Sequence, residues 1–175
     1  FDFRTSLAPT ASSEQQYRQA VAALRSYNER LSQGQAVFET RADNLLGTLD
    51  RIAADIGSSS ATIDHQLKSA GFWPDFAADN LFYGTKGRLY AYYLLMRALE
   101  VDFANVIRER QLGSAWSQTV ESFREAVTLQ PWVVVNGAPD AQFMPSHLAS
   151  QGFFLLRART QLDEVRRLVA KLDVP

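Results

Sequence analysis

An all-α bundle of about six helices is the fold this sequence predicts, and three observations predict it. Apolar residues recur at three- and four-residue spacing along most of the 175 residues. Capping residues stand in front of several of these runs, and glycines stand behind them. The only β-rich run, "PWVVVNG" at 131–137, is too short and isolated to build a sheet.

The first helix begins after Ser12, with Gln15 three residues on completing a capping box. Tyr17, Ala20, Val21, Leu24, Tyr27 and Leu31 form its apolar stripe, and Gly34 stops it. A second helix carries Phe38, Ala42, Leu45, Leu49, Ile52 and Ile56 and closes at Gly57. The short link makes these two an antiparallel hairpin near the N-terminus. "SSSAT" at 58–62 reads as a polar loop, from which Ser60 caps a short helix through Ile63 and Leu67 to Gly71. "GFWPDFAAD" is irregular, because Pro74 disfavours helix at Trp73. Asp79 then caps the longest helix, which runs to about Arg110 with an interruption near Asp102. Ser114 opens a helix with Trp116, Val120, Phe123 and Val127 aligned. Pro145 and Ser146 open the last, striped by Leu148, Leu155, Ala158, Leu162, Val165 and Val169. No repeat or linker divides the chain, so 1–175 reads as a single helical domain.

The stretch "DNLFYGTKGRLYAYYLLMRALE", 79–100, invites two other readings. A phosphate loop needs a strand ahead of its glycines, and none precedes Gly84–Gly87. A membrane span needs about 20 apolar residues, and "LYAYYLLM" ends between Arg88 and Arg97. A helical wheel gathers Phe82, Leu89, Tyr92, Met96, Leu99 and Phe103 on one side and Gly84, Gly87, Ala91 and Ala98 opposite. Glycine inside a helix costs nearly 1 kcal/mol against alanine. Close approach of a neighbouring helix is the reason the sequence suggests. This makes the segment a central helix packed on two sides, in which Gly87→Leu should overpack by about 1–3 kcal/mol.

Composition narrows function mainly by exclusion. Eighteen basic residues face nineteen acidic ones, without the basic stripe of a duplex-binding protein. There is no cysteine, so disulfides and thiolate chemistry are out. His65 and His147 are the only histidines, and neither has a second ligand at helical spacing, so no metal or cofactor is expected. No GxSxG nucleophile elbow is present, and hence no catalytic residue is assigned. Arg157, Arg159, Arg166 and Arg167 point to different sides of their helix and read as a solvated surface. The long connection holding Trp132, Asn136–Gly137 and Phe143 is a place where function can reside. The one candidate ligand site is a polar-aromatic edge of the longest helix: Tyr83, Tyr90 and Arg97 seven residues apart, Lys86 and Tyr93 beside them, Asn80 near its start. Amphipathic residues satisfied at a core boundary give the same pattern.

Four blocks carry a likeness: "SLAPTASSEQQYRQAVAALRSYNERL", "FETRADNLLGTLDRIAADIGSSSA", "DNLFYGTKGRLYAYYLLMRALEVDFANVI" and "MPSHLASQGFFLLRARTQLDEV". Together and in this order, they resemble the bacterial family called domain of unknown function 2333. The resemblance implies the C-terminal part of a single-pass inner-membrane protein, facing the periplasm, with its anchor upstream of this chain. It implies no catalytic residue, cofactor or substrate. Two functions follow as expectations. The first is a non-enzymatic envelope module that binds a protein partner or itself, without nucleic acid and without membrane contact of its own. The second is a small-ligand binder or enzyme with its site in the bundle.

Overall fold

A computed structural model describes residues 12–68, 76–129 and 146–171. These residues form six α-helices and no strand. Their contacts cluster as two compact units, Phe1–Glu39 and Thr40–Pro175.

The first unit contains α1 (Ser13–Ser32). Its capping box is formed as the sequence predicts. The Ser12 hydroxyl accepts the Gln15 N–H at 3.3 Å, and Gln15 Oε1 accepts the Ser12 N–H at 3.0 Å. Beyond the helix Gly34 takes φ +70°, the left-handed conformation that ends helices. The Tyr27 hydroxyl donates to the Val37 carbonyl at 2.9 Å, tying the following segment to α1. Tyr17, Val21 and Leu24 of the apolar stripe are exposed. The two arms of the expected hairpin fall in different units, α1 in the first and α2 in the second.

The second unit holds α2 (Ala42–Lys68), α3 (Phe76–Asp102), α4 (Ala104–Glu109), α5 (Gly113–Thr128) and α6 (His147–Ala170). Side-chain pairs fix its topology. Asp55 meets Tyr92 and Ser59 meets Arg88, so numbers rise along α2 as they fall along α3. Lys86 meets Leu129 at one end of the α3–α5 seam, and Tyr92 meets Phe123 further along it. Ser122 meets Gln161 and Glu125 meets Arg157. Asp50 meets Arg166 and Gly152 meets Ile63, closing α6 against α2. The four long helices thus form a ring in which each neighbour is antiparallel, an up-and-down four-helix bundle. The short α4 turns the chain from α3 into α5, and Gln111 takes φ 54° at the second corner.

Apolar stripes supply the core. Leu45, Leu49, Ile56 and Ile63 of α2, Phe82, Leu89 and Met96 of α3, Trp116 and Phe123 of α5, and Leu148, Leu155 and Leu162 of α6 are all at most 1% exposed. Each such side chain contributes about 1.5–3 kcal/mol by leaving water.

Several element boundaries differ from the sequence reading: α2 begins only at Ala42, leaving Phe38 outside it, and α3 begins at Phe76, so Asp79 lies in its first turn instead of capping it. Neither Gly57 nor "SSSAT" interrupts α2, because Ile56, Ser59 and Ile63 continue its buried stripe. There the hydroxyls bond backward inside the helix, Ser59 to the Asp55 carbonyl and Thr62 to the Ser58 carbonyl, instead of capping a new one. The interruption expected near Asp102 is real and separates α4 from α3. One expected helix is lost by fusion and one gained by division, so the count remains six. "PWVVVNG", Trp73, Trp132 and Phe143 lie outside the described residues.

The small-residue face of α3 needs a larger correction. A Cβ added at Gly84 or Gly87 would meet nothing within 4 Å, and Ala91 and Ala98 are exposed. Within the second unit no other helix packs there. The wheel separates large from small residues correctly, but periodicity alone does not say whether a small face meets protein or water. Gly87→Leu is therefore not expected to overpack. Gly87→Ala should instead raise stability by about 0.5–1 kcal/mol through helix propensity, read as a higher denaturation midpoint; a loss would show that something covers this position.

Candidate functional site

The polar-aromatic edge of α3 divides in the structure. Lys86 and Tyr93 turn toward α5. The Lys86 ammonium donates to the Leu129 carbonyl at 2.7 Å, at a helix C-terminus where unpaired carbonyls favour a cation. Tyr93 is half-buried, and the Arg97 guanidinium lies 5.9 Å from its ring centroid. Arg124 of α5 is held by Glu121, to which its Nε donates at 2.7 Å, and this bond raises its pKa. Among the described residues no carboxylate pairs with Arg97. Asn80, Tyr83 and Tyr90 lie on the open outer surface, with the Tyr83 ring edge-on to Phe82 at 5.3 Å. The structure therefore brings Lys86, Tyr93 and Arg97 together along the α5 side and leaves the other three candidates outside.

A second polar cluster lies at the seam between α2 and α3. The Tyr92 hydroxyl donates to Asp55 Oδ2 at 2.6 Å. Arg88 Nη1 donates to the Ser59 hydroxyl at 2.7 Å, and its Nε lies 3.5 Å from the same Asp55 oxygen. Ser59 is buried, whereas Asp55 and Arg88 are half-exposed. Each of these four side chains therefore has a partner across the seam. Burial, and then the Asp55 carboxylate as hydrogen-bond acceptor and neighbouring charge, push the Tyr92 phenol well above its ordinary range. The phenol is a proton donor held on a carboxylate, not an available base or nucleophile.

The sign of that shift gives a pH prediction. Because the folded state holds the Tyr92 proton more tightly than the unfolded chain, its contribution is complete below about pH 10 and is lost as pH rises beyond it. Denaturant midpoints should fall on the alkaline side, and Tyr92→Phe should flatten that part of the profile. An unchanged slope would mean that the phenol is not coupled to Asp55.

Carboxylates also converge between α2 and α6. Arg166 donates to Asp50 Oδ1 from Nε at 2.7 Å and to Asp163 Oδ1 from Nη1 at 2.6 Å. Those bonds, that to Asp50 foremost, raise the guanidinium pKa. The cluster borders a depression of about 500 Å³ lined by Leu46, Asp50, Asp163, Arg166, Arg167 and Ala170. A cation that bridges carboxylates of two helices in this way is a surface staple. Among the described residues no group of three or more His, Asp or Glu side chains is placed to hold a metal ion. His65 is exposed in the last turn of α2, and His147 is half-buried in the first turn of α6.

The sequence did carry a signal for the α2–α3 seam. Asp55 and Ser59 are four apart, as are Arg88 and Tyr92, so each helix presents two polar groups on one face. What no single-helix pattern shows is that the two faces meet. Gln151 is harder to anticipate. It is fully buried on α6, donates to the Phe82 carbonyl at 2.9 Å, and leaves its Oε1 without a partner among the described residues.

No curated protein matches this chain, and no solved structure matches it either. The family whose members are described as "Uncharacterized protein conserved in bacteria (DUF2333)" matches residues 1–77 and 64–171. With essentially the full length matched and an all-helical bundle beneath it, the chain belongs to the bacterial DUF2333 family.

Proposed function

We propose that this chain is a non-enzymatic helical interaction module on the periplasmic side of the bacterial inner membrane. The observation that supports it is the outer face of α3, where Tyr83, Tyr90, Leu94 and Val101 remain exposed around a row of small residues. A folded bundle has no internal use for so apolar an outward face, and continuous apolar surface of this kind marks sites of protein contact. The inner-membrane location rests on the family resemblance. None of the described helices is long and apolar enough to cross a bilayer, and on this reading an anchor would be supplied by sequence outside them. A photoreactive amino acid at Tyr90, activated in living cells, should give a discrete protein adduct. If neither Tyr90 nor Leu94 gives any adduct, the interaction reading falls. An alkaline-phosphatase fusion should be active if the domain faces the periplasm.

A second reading, a site for a small anionic or polar ligand, has one observation in its favour. Arg97 lies over Tyr93, and no described carboxylate neutralises it. Arg97→Ala should then abolish a ligand-induced thermal shift without lowering the melting temperature of the free protein. A melting temperature that falls in step with every binding loss would make the residue structural.

A further inference from the structure

The buried stripe of α6 repeats every seven residues without interruption. Leu148, Leu155, Leu162 and Val169 make one row, and Gln151, Ala158 and Val165 make the other. The same alternation of four and three residues runs from Leu45 to Ile63 on α2 and from Leu112 to Ala126 on α5, the helices on either side of α6. Such a repeat is nearly indifferent to slides of one heptad: α6 displaced by about 10 Å along its axis still sets row against row. The connections do not remove that ambiguity. Residues 129–146 separate α5 from α6, against about 2–8 residues between most bundled helices, and about three extended residues span such a slide. Side chains must therefore set the axial position of α6.

The ion pairs of Arg157 and Arg166 lie at the surface, where such pairs contribute little. The bond between Ser122 and Gln161 lies at the α5–α6 margin, where Gln161 is half-buried. Gln151 is placed differently. It is fully buried at a heptad position, and its Nε2 reaches across the ring to the Phe82 carbonyl of α3, the helix opposite, at 2.9 Å. Its Oε1 has no partner among the described residues. A half-satisfied amide in a core is costlier than an apolar side chain of the same length, so stability is not what it contributes. It contributes alignment. A slide of one heptad carries Nε2 about 10 Å from the Phe82 carbonyl, and in one direction forces the amide into the place of Ala158, deeper in the apolar core. Single buried polar groups at heptad positions fix register in this way.

We propose that Gln151 is the register lock of the bundle: its bond to the Phe82 carbonyl sets the axial position of α6 and excludes alignments one heptad away. The proposal is independent of the interaction reading. The sequence lacks cysteine, so spin labels on Ala54→Cys of α2 and Thr160→Cys of α6, both exposed, report that position directly. With Gln151 in place, double electron–electron resonance should give one narrow distance. Gln151→Met keeps the length of the side chain and removes the amide. It should add a second distance, while the urea midpoint stays level or rises. Leu155→Ala opens a cavity one turn away and lowers the midpoint, yet should keep one distance. A single distance in Gln151→Met overturns the proposal whatever its midpoint. Two distances in Leu155→Ala also overturn it, because the multiplicity would then come from weakened packing of any kind. If Gln151→Met does not fold, Gln151→Leu gives the same reading, and failure of both to fold would make the amide a source of stability and sink the idea.

Discussion

Phe123→Ala is expected to cost the bundle about 3–5 kcal/mol. Phe123 is fully buried on α5, and its ring centroid lies 6.4 Å from that of Tyr92. The α3 and α6 side chains around it belong to helices fixed elsewhere by other contacts, so the vacated space cannot close. A domain of this size has about 5–15 kcal/mol in total, and the loss brings it close to unfolding at room temperature. The damage should also spread to the α2–α3 seam, because the phenol that bonds Asp55 loses its backing ring. Urea denaturation should show a lower midpoint at constant slope. A cost below about 1 kcal/mol would place Phe123 at the surface and α5 outside the ring.

The second large effect is expected at Gly152, where a glycine has a packing reason. A Cβ there would lie 3.3 Å from Ile63 Cγ2, and Ile63 is 1% exposed with no room to retreat. Gly152→Leu adds three further carbons to that contact. Overpacking of about 1–3 kcal/mol or more outweighs the roughly 0.8 kcal/mol of helix propensity that leucine brings. The same substitution at Gly87 should leave the monomer within about 1 kcal/mol of wild type. At Gly57 the nearest atoms are the guanidinium of Arg159 at 3.7–3.9 Å, the movable end of a long side chain, so Gly57→Ala should be tolerated. Parallel melting curves for Gly152→Leu and Gly87→Leu would test the ranking, and equal losses at both sites would contradict it.

That ranking marks where sequence reading succeeds and where it stops. Periodicity identifies the core face of α3 and the stripes of α2, α5 and α6, because burial acts on every third or fourth residue of one helix. Local chemistry identifies the Ser12 and Ser146 caps, where a side chain meets a backbone group three residues away. Tertiary facts are not local in this sense. Gly87 and Gly152 look alike in sequence, and only the position of Ile63 on another helix distinguishes them. Ser59 and Thr62 look like turn residues until the buried stripe of Ile56 and Ile63 carries the helix through them. Lys86, Tyr93 and Arg97 are legible as a group on α3. Asp55, Ser59, Arg88 and Tyr92 belong to two helices, and their meeting is a property of the fold.

The last helix of the bundle touches both α2 and α5, and those are its two most extensive packing seams. During synthesis α2, α3 and α5 emerge first, with Leu45, Leu49, Leu89 and Trp116 still lacking the wall that α6 supplies. Helical hairpins can form at this stage, yet the ring cannot close until residues 147–170 have joined it. Closure of this unit thereby waits on its last helix, and a chain that lacks α6 leaves a sticky intermediate for chaperones and proteases to meet.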